Sequence, residues 1–576
     1  MKPDLVIRGG TVVDGTGRPP VETDVVVAGD RIAGVGAYTG PVVREIDARG
    51  KIVTPGFVDV HTHLDAQIIW DPRAAVSVEH GVTSVVVGNC GVGFAPCRPQ
   101  DRDYLMFLME GVEDIPQAAL RAGLTWEWET FPEYLDALAR RPASVNVGAH
   151  LSHAPLRVYA MGERGATDAR PTDEELARMR ACIGEALRAG ALGVATGRTT
   201  MHRTPGGDPV PGTFADRREL DMIGAALREA GTGVFQLVPY GGGGEDPEGF
   251  AREYEWLLPV AQATGRPFSV VTTQHLKYPD GWKEVFRLAE AAAQEGADIR
   301  PQVAARSVGI LIGSGISVSP LLLFPAAGDL LGKSLDETRR LLQDPALRAH
   351  LVDSFDETNA EVLGGLARLE NVFPLEGNGV LAYDVAPDRS VVAVGRRQRK
   401  HPGQVILDLM LAHDLENFFI LPLFNVDLDV AASMLEHPRS TIGLGDAGAH
   451  TTQTCDVGFP TFMLAYWVRE RQRFSLEQAV RMLTLDVADV WGLPGRGVIR
   501  QGACADLNVI DLDRLDLEFP EVHHDLPTGA PNLWQGAKGY VSTIVNGTIV
   551  MEGGTHTGAL PGTVLRNTRA LSSGPS

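Results

Sequence analysis

From residue 55 to about residue 446, short apolar runs alternate with longer amphipathic segments, and this alternation constrains the fold more than any other feature. Eight runs read as strands: 56–63, 83–90, 145–151, 191–196, 233–238, 268–275, 297–303 and 440–446. Short strands separated by helices are βα units around a parallel sheet. The helical segments carry their own end signals. Thr172-Asp173-Glu174-Glu175 is a capping-box pattern that opens a helix ending at Gly190, and 216–230, 247–264 and 282–295 repeat the scheme. Eight strands with intervening helices fit an α/β fold of the (β/α)8 TIM-like barrel type better than an open sheet.

The chain ends follow a different pattern. Gly9-Gly10, Asp14-Gly15 and Gly29-Asp30 punctuate valine-rich runs in residues 3–53 and read as hairpin turns. Strand patterns return at 505–510, 540–545 and 548–551. A small β-sandwich built from both chain ends, 1–54 and 496–566, is therefore expected beside a barrel at 55–495, with 567–576 a flexible tail. Between strands seven and eight, about 304–439 is far longer than a βα connection. It has a Gly-rich apolar start at 308–323, helices near 335–369 and a basic run, Arg396-Arg397-Gln398-Arg399-Lys400, expected as a solvated loop. The segment is expected to be a subdomain inserted over the barrel mouth.

Composition narrows the partners. A net charge of −21 disfavours nucleic acid and anionic membranes. No run of about 20 apolar residues offers a membrane span. Five scattered cysteines are not a disulfide framework; with no signal-peptide pattern at the start, they predict a cytoplasmic protein.

In such a barrel, chemistry sits at the C-terminal ends of the strands. His61 and His63, two residues apart on a strand, point to one face and can converge on one ion, with Asp59 one step deeper to hold a histidine in place. The other strand ends supply Cys90, His150 and His153, Arg198, Gln236, His275 with Lys277, Arg300 with Gln302, and Asp446 followed by His450. Imidazoles, a thiol and a carboxylate make a set that zinc accepts. Each also has an ordinary reading: Cys90 as an inert buried thiol, His275 as a core histidine, Asp446 as a turn cap. Gly241 to Gly244 lacks the lysine and serine or threonine of a phosphate loop and reads as a loop flanking the site.

Together these motifs resemble the amidohydrolase superfamily, in its D-aminoacylase (N-acyl-D-amino-acid deacylase) branch. The resemblance runs from Leu5-Val6-Ile7-Arg8-Gly9-Gly10 through Pro55-Gly56-Phe57-Val58-Asp59-Val60-His61-Thr62-His63 and Gly88-Asn89-Cys90-Gly91 to Gly495-Arg496-Gly497 and Asp506-Leu507. It implies His61, His63 and Asp446 as one metal-binding set, with Cys90 and His275 at a second position. Asp446 would also be the proton shuttle, and His153 would lie near the substrate. Two departures matter. The fifth strand has Gln236 where the branch has a histidine. Segments that supply arginines to a substrate carboxylate read His450-Thr451-Thr452 and Phe459-Pro460-Thr461. An unpaired buried carboxylate costs about 3–5 kcal/mol. So Arg198, Arg300, Arg306 or Lys277 has taken over that role, or the substrate is not an ordinary N-acyl-D-amino acid.

The expectation is a zinc-dependent amidohydrolase cleaving a C–N bond of a small-molecule amide. One Zn2+ would be firmly bound and a second site weak or empty. Asp446 and His153 would be catalytic, and Gln236, Lys277, Arg198, Arg300 and His450 would contact substrate. A cyclic amide or imide hydrolase, a deaminase-type enzyme and a non-catalytic scaffold stay open alternatives, as does a homo-oligomer.

Overall fold

The computed structural model describes residues 2–242, 244–355, 369–377 and 379–567. Eight strands form one parallel sheet in chain order: Phe57–Asp59, Val82–Val87, Asn146–Ser152, Gly193–Gly197, Val234–Val238, Phe268–Val271, Ile299–Val303 and Thr441–Ile442. The first and eighth meet as well. Thr62 bridges Ala447 in parallel, Asp446 N–H donates to His61 O at 3.0 Å, and His63 N–H donates to Ala447 O at 2.8 Å. The barrel thus closes through the residues that flank its histidines.

Strands covered on both faces read as near-continuous apolar runs, and all six residues of Val82–Val87 are buried, Thr83 and Ser84 included. The covering helices begin and end where their sequence says. Asp173–Ala189 has a capping box from Thr172 and Glu175 and stops at Gly190 in the left-handed conformation. Arg217–Ala230 is capped by the Asp216 side chain and ends at Gly231 in the same way.

Both chain ends enter one nine-stranded sheet, joined where Ile52–Pro55 pairs antiparallel with Leu507–Ile510. Leu5, Ile7, Val25, Leu507 and Ile544 belong to its separate apolar core. Gly9-Gly10 is not a hairpin turn. Leu5–Val12 is one continuous strand whose register shifts there, a bulge that Gly9 allows with φ +60°. Gly29-Asp30 does turn a hairpin, between Val21–Ala28 and Arg31–Val35.

After the seventh barrel strand, Val308–Gly313, Phe418–Phe424 and Phe373–Pro374 form a three-stranded antiparallel sheet over a second apolar core. The helix Leu428–Leu435 falls inside the expected insertion but packs into the barrel core through Ala431, Ala432, Met434 and Leu435. Helices Leu335–Leu342 and Pro345–Ser354 lie where expected; the rest of that stretch, 356–368, is outside the described residues. The basic run is exposed as expected but is helical over Arg396, Arg397 and Gln398, with Arg399 and Lys400 past the helix end. Arg396 and Arg397 end the helix Val391–Gln398, where their charge complements the helix dipole, and the run is exposed throughout. Of the expected tail only Asn567 is described, hydrogen-bonded through its N–H to Gly190 O at 3.1 Å.

Candidate active site

The Gly-Asn-Cys-Gly segment shows why the chain needs these residues after the second barrel strand. Asn89 Nδ2 donates to Thr62 O at 3.1 Å and to Val86 O at 2.8 Å, tying the first two strand ends together. Cys90 follows in the left-handed conformation at φ +55°. A Cβ on Gly88 would lie 2.4 Å from His150 O, and one on Gly91 2.6 Å from Gly197 N. Only glycine lets the loop sit against the third and fourth strands, which aims Cys90 into the barrel mouth.

His61, His63 and Cys90 present ligand atoms that all lie within 4.8 Å of one another, and all three are buried. Gln302 Oε1 stands 2.7 Å from His61 Nδ1, which leaves His61 Nε2 toward Cys90 Sγ at 3.1 Å and Asp446 Oδ1 at 3.4 Å. For His63, Nδ1 is 3.3 Å from Glu113 Oε1 without hydrogen-bond geometry, and Nε2 is 3.9 Å from Asp446 Oδ1. His61 is held at Nδ1 by Gln302, whereas His63 Nδ1 and Glu113 Oε1 make no hydrogen bond; both rings turn Nε2 toward Asp446.

Burial sets the charge states. It lowers His61 to about 4, partly countered by the Gln302 contact, and drives His63 well below the usual histidine value. It raises Asp446 to about 7 and pushes Cys90 and Glu113 well above their ordinary values. Neutral imidazoles beside a thiol and carboxyls that resist ionisation form a donor set suited to a divalent cation, whose charge would favour their ionised forms. The residues present fit a bound metal.

This group opens into a cavity of about 490 Å³. One wall is apolar, with Val238, Val271, Val308, Ile310, Leu423 and Phe424, so the inserted sheet covers part of the mouth. The rest carries Glu110, Glu113, Asp114, Asp446 and Asp456 with His202 and His450. No lysine or arginine lines it among the described residues.

Several sequence-predicted residues are engaged elsewhere. His275 is not in the metal-ligating group: its Nδ1 accepts the Lys277 N–H at 3.0 Å, and its ring packs 5.7 Å from Phe424. His153 is fully buried with both ring nitrogens bonded, Nδ1 to Thr196 Oγ1 and Nε2 to Glu219 Oε1, each at 2.8 Å. It therefore has no nitrogen free for an oxyanion. Arg198 gives Nε to Glu253 at 2.6 Å and Nη1 to Ala215 O. Arg300 pairs with Asp298, which precedes its strand, at 2.6 Å, away from the mouth. Lys277 is exposed and lines no part of the cavity. Gln236 is buried below it, its Oε1 accepting the Cys90 N–H at 3.2 Å, so it positions Cys90 rather than meeting substrate. Arg306 pairs with Asp456 at 2.7 Å and stacks on Tyr383. Of the five expected substrate contacts, His450 alone lines the cavity.

Sequence reasoning missed Glu113, His202 and the cavity-facing Asp456. Glu113 ends the helix Arg102–Glu113 and is 1 % exposed, as a core apolar residue would be. His202 sits in the loop after the fourth strand with no motif around it. A carboxylate at a buried helix position was the one available signal.

A closed parallel barrel that gathers two imidazoles, a thiol and a carboxylate at its C-terminal end defines the class of metal-dependent barrel hydrolases. The chain belongs to the amidohydrolase family, whose model matches residues 44–551, and within it to the D-aminoacylase branch. It is a hydrolase of carbon–nitrogen bonds other than peptide bonds. An uncharacterized protein of Mycobacterium tuberculosis is 29% identical, over 96% of this chain and 92% of its own. The N-acyl-D-aspartate deacylase of Alcaligenes xylosoxydans xylosoxydans is also 29% identical, over 98% and 95%. The fold is shared with the N-acyl-D-glutamate deacylase of Bordetella bronchiseptica, solved with zinc and a phosphonate inhibitor. That match has a TM-score of 0.65 at 24% identity and covers 98% of this chain and all of the other.

Proposed function

We propose that this enzyme hydrolyses an amide whose cleaved portion carries no free carboxylate, using one firmly held zinc at His61, His63, Asp446 and Cys90. A bound zinc would polarise the amide carbonyl and lower the pKa of the attacking water. Asp446 takes the proton from that water and passes it to the leaving nitrogen. Gln302 holds the His61 imidazole in orientation, and Glu113 stands 3.3 Å from His63 Nδ1, close enough to do the same for His63. The apolar wall of Val308, Ile310, Leu423 and Phe424 receives the hydrocarbon part of the substrate, and His450 at the rim contacts its polar end. The scattered free cysteines and the absence, among the described residues, of a helix apolar and long enough to cross a membrane favour a cytoplasmic setting.

The observation that carries the substrate reading is the cavity lining, with five carboxylate residues and, among the described residues, no lysine or arginine. Burying a substrate carboxylate there would leave it without a lysine or arginine partner, at about 3–5 kcal/mol. Thr452 and Thr461, where the branch offers arginine, are engaged instead with the Asp114 carboxylate and with His80 Nδ1. The test compares N-acyl-D-aspartate and N-acyl-D-glutamate with the same compounds as carboxamides, together with a cyclic imide. The uncharged substrates should show at least about tenfold higher kcat/KM. Faster turnover of the free acids would refute the reading.

A further inference from the structure

Of the carboxylates that line the catalytic cavity, the proposed metal accounts for Asp446. Ionised Cys90 and Asp446 would together balance a divalent ion, which leaves Glu110, Glu113, Asp114 and Asp456. Asp456 is neutralised by Arg306 at 2.7 Å. Glu113 meets histidines, His63 at 3.3 Å and His450 at 3.8 Å. Glu110 Oε1 accepts the Gln117 N–H at 3.0 Å, and Asp114 Oδ2 accepts from the Ser317 and Thr452 hydroxyls at 3.2 and 2.6 Å. Among the described residues, no lysine or arginine pairs with Glu110, Glu113 or Asp114.

Local physics opposes this grouping. Glu110 and Glu113 stand in the last turn of the helix Arg102–Glu113, Asp114 caps it, and that turn has no basic residue. A helix C-terminus carries partial negative charge, so carboxylates placed there repel it and one another. An independent observation lies deeper in the wall. Glu113 is 1 % exposed and Asp456 4 %, both line the cavity, and neither Glu113 Oε1 nor Asp456 Oδ2 has a hydrogen-bond donor. Buried polar atoms are ordinarily satisfied, so these mark a place where a donor arrives from outside the chain.

The acids do not gather as metal ligands would. Among the described residues, the ligand atoms that lie within 4.8 Å of one another belong to His61, His63 and Cys90. Carboxylates spread along one wall match an organic cation, whose several N–H donors reach different acceptors.

We infer that the wall formed by Glu110, Glu113 and Asp114 is a subsite for an ammonium or guanidinium group on the cleaved portion of the substrate. The inference rests on the reading that this portion carries no free carboxylate, and it names the charge carried in its place. A cleft lined by one sign of charge concentrates ligands of the other. The apolar wall of Val308, Ile310, Leu423 and Phe424 stays available for the hydrocarbon part.

The test compares zinc-loaded whole protein acting on N-acetyl-D-lysinamide and on N-acetyl-D-norleucinamide, whose side chains differ by the terminal ammonium. Acetate release should give at least about tenfold higher kcat/KM for the lysinamide. Calorimetric binding of the same two amides makes the comparison without turnover. Glu110→Gln and Asp114→Asn should each cut the preference at least about threefold. The preference is a ratio within one preparation, so a loss of folded enzyme cancels, and asparagine tolerates the left-handed backbone of Asp114 at φ +53°. A ratio near one in kinetics and binding, or an unchanged ratio in both variants, overturns the subsite. N-acetyl-D-norleucine, with its free carboxylate, reports separately on the parent reading. If it outpaces the norleucinamide that reading falls, and the ratio of lysinamide to norleucinamide stays readable.

Discussion

Gln302 Oε1 lies 2.7 Å from His61 Nδ1, and this contact decides which nitrogen of His61 faces Cys90 and Asp446. A neutral imidazole that donates from Nδ1 keeps its lone pair on Nε2. Gln302→Ala should lower metal affinity about 10–100-fold, the usual effect of losing such an orienting partner. Gln302→Glu, which keeps an acceptor, should recover most of it. Chelator competition measures both, and equal affinity in the alanine variant would show that the contact does not orient His61.

Glu113 is placed to play the corresponding part for His63: its Oε1 is 3.3 Å from Nδ1, without hydrogen-bond geometry, and neither atom has another partner. Glu113→Ala should weaken metal binding in the same range, about 10–100-fold. Glu113→Gln, which keeps an acceptor oxygen, should weaken it less. If both variants bind metal as the unaltered protein does, His63 is held by packing alone.

Asp446→Asn should lower kcat by about 10²–10⁴-fold, because the amide cannot accept the proton from water. The backbone there is set by its bond to His61 O and by closure of the barrel, so circular dichroism should be unchanged. Activity at the original level would eliminate Asp446 as the shuttle.

Cys90→Ser exchanges a soft ligand for a hard one of similar size. Metal content after dialysis should fall, while thermal stability of the metal-free protein changes little. Unchanged stoichiometry would return Cys90 to the role of an inert buried thiol.

Glu219 tests the structural reading of His153. Burial alone would raise its carboxyl. The His153 hydrogen bond, then the charges of His153 and Arg157, lower it to about 2 from an ordinary 4.5. A depressed folded-state value means stability that is fully present above pH 4.5 and lost as pH falls through about 2. Glu219→Gln should destabilise by about 3–5 kcal/mol at pH 7, since Arg157 is left buried and uncompensated. The gap to the unaltered protein should narrow as pH falls below 4.5, seen in melting temperatures from pH 3 to 7. A gap constant with pH would mean that Glu219 stays uncharged in the folded protein.

By itself the sequence determined the eight-strand order, the helix ends at Thr172, Gly190 and Asp216, and His61, His63 and Cys90 as candidate metal ligands, though it set Cys90 with His275 at a second position where the structure gathers it with the two histidines. These depend on neighbours in sequence: a capping residue, alternation along a strand, glycines around a close approach. Tertiary structure alone decided which polar side chains stay free. His153 meets Glu219, 66 positions away, and Arg306 meets Asp456, 150 positions away. Nothing local to either residue announces the pairing. Arg198 and Arg300 look equally available in sequence, yet folding gives each a carboxylate outside the cavity. His202 and Glu113 come from a loop and a helix with no motif, and the fold brings them to the mouth. The physical reason is desolvation. A buried charge or ring nitrogen must find a partner in three dimensions, and only the folded chain shows which groups found one and which were left facing the cavity.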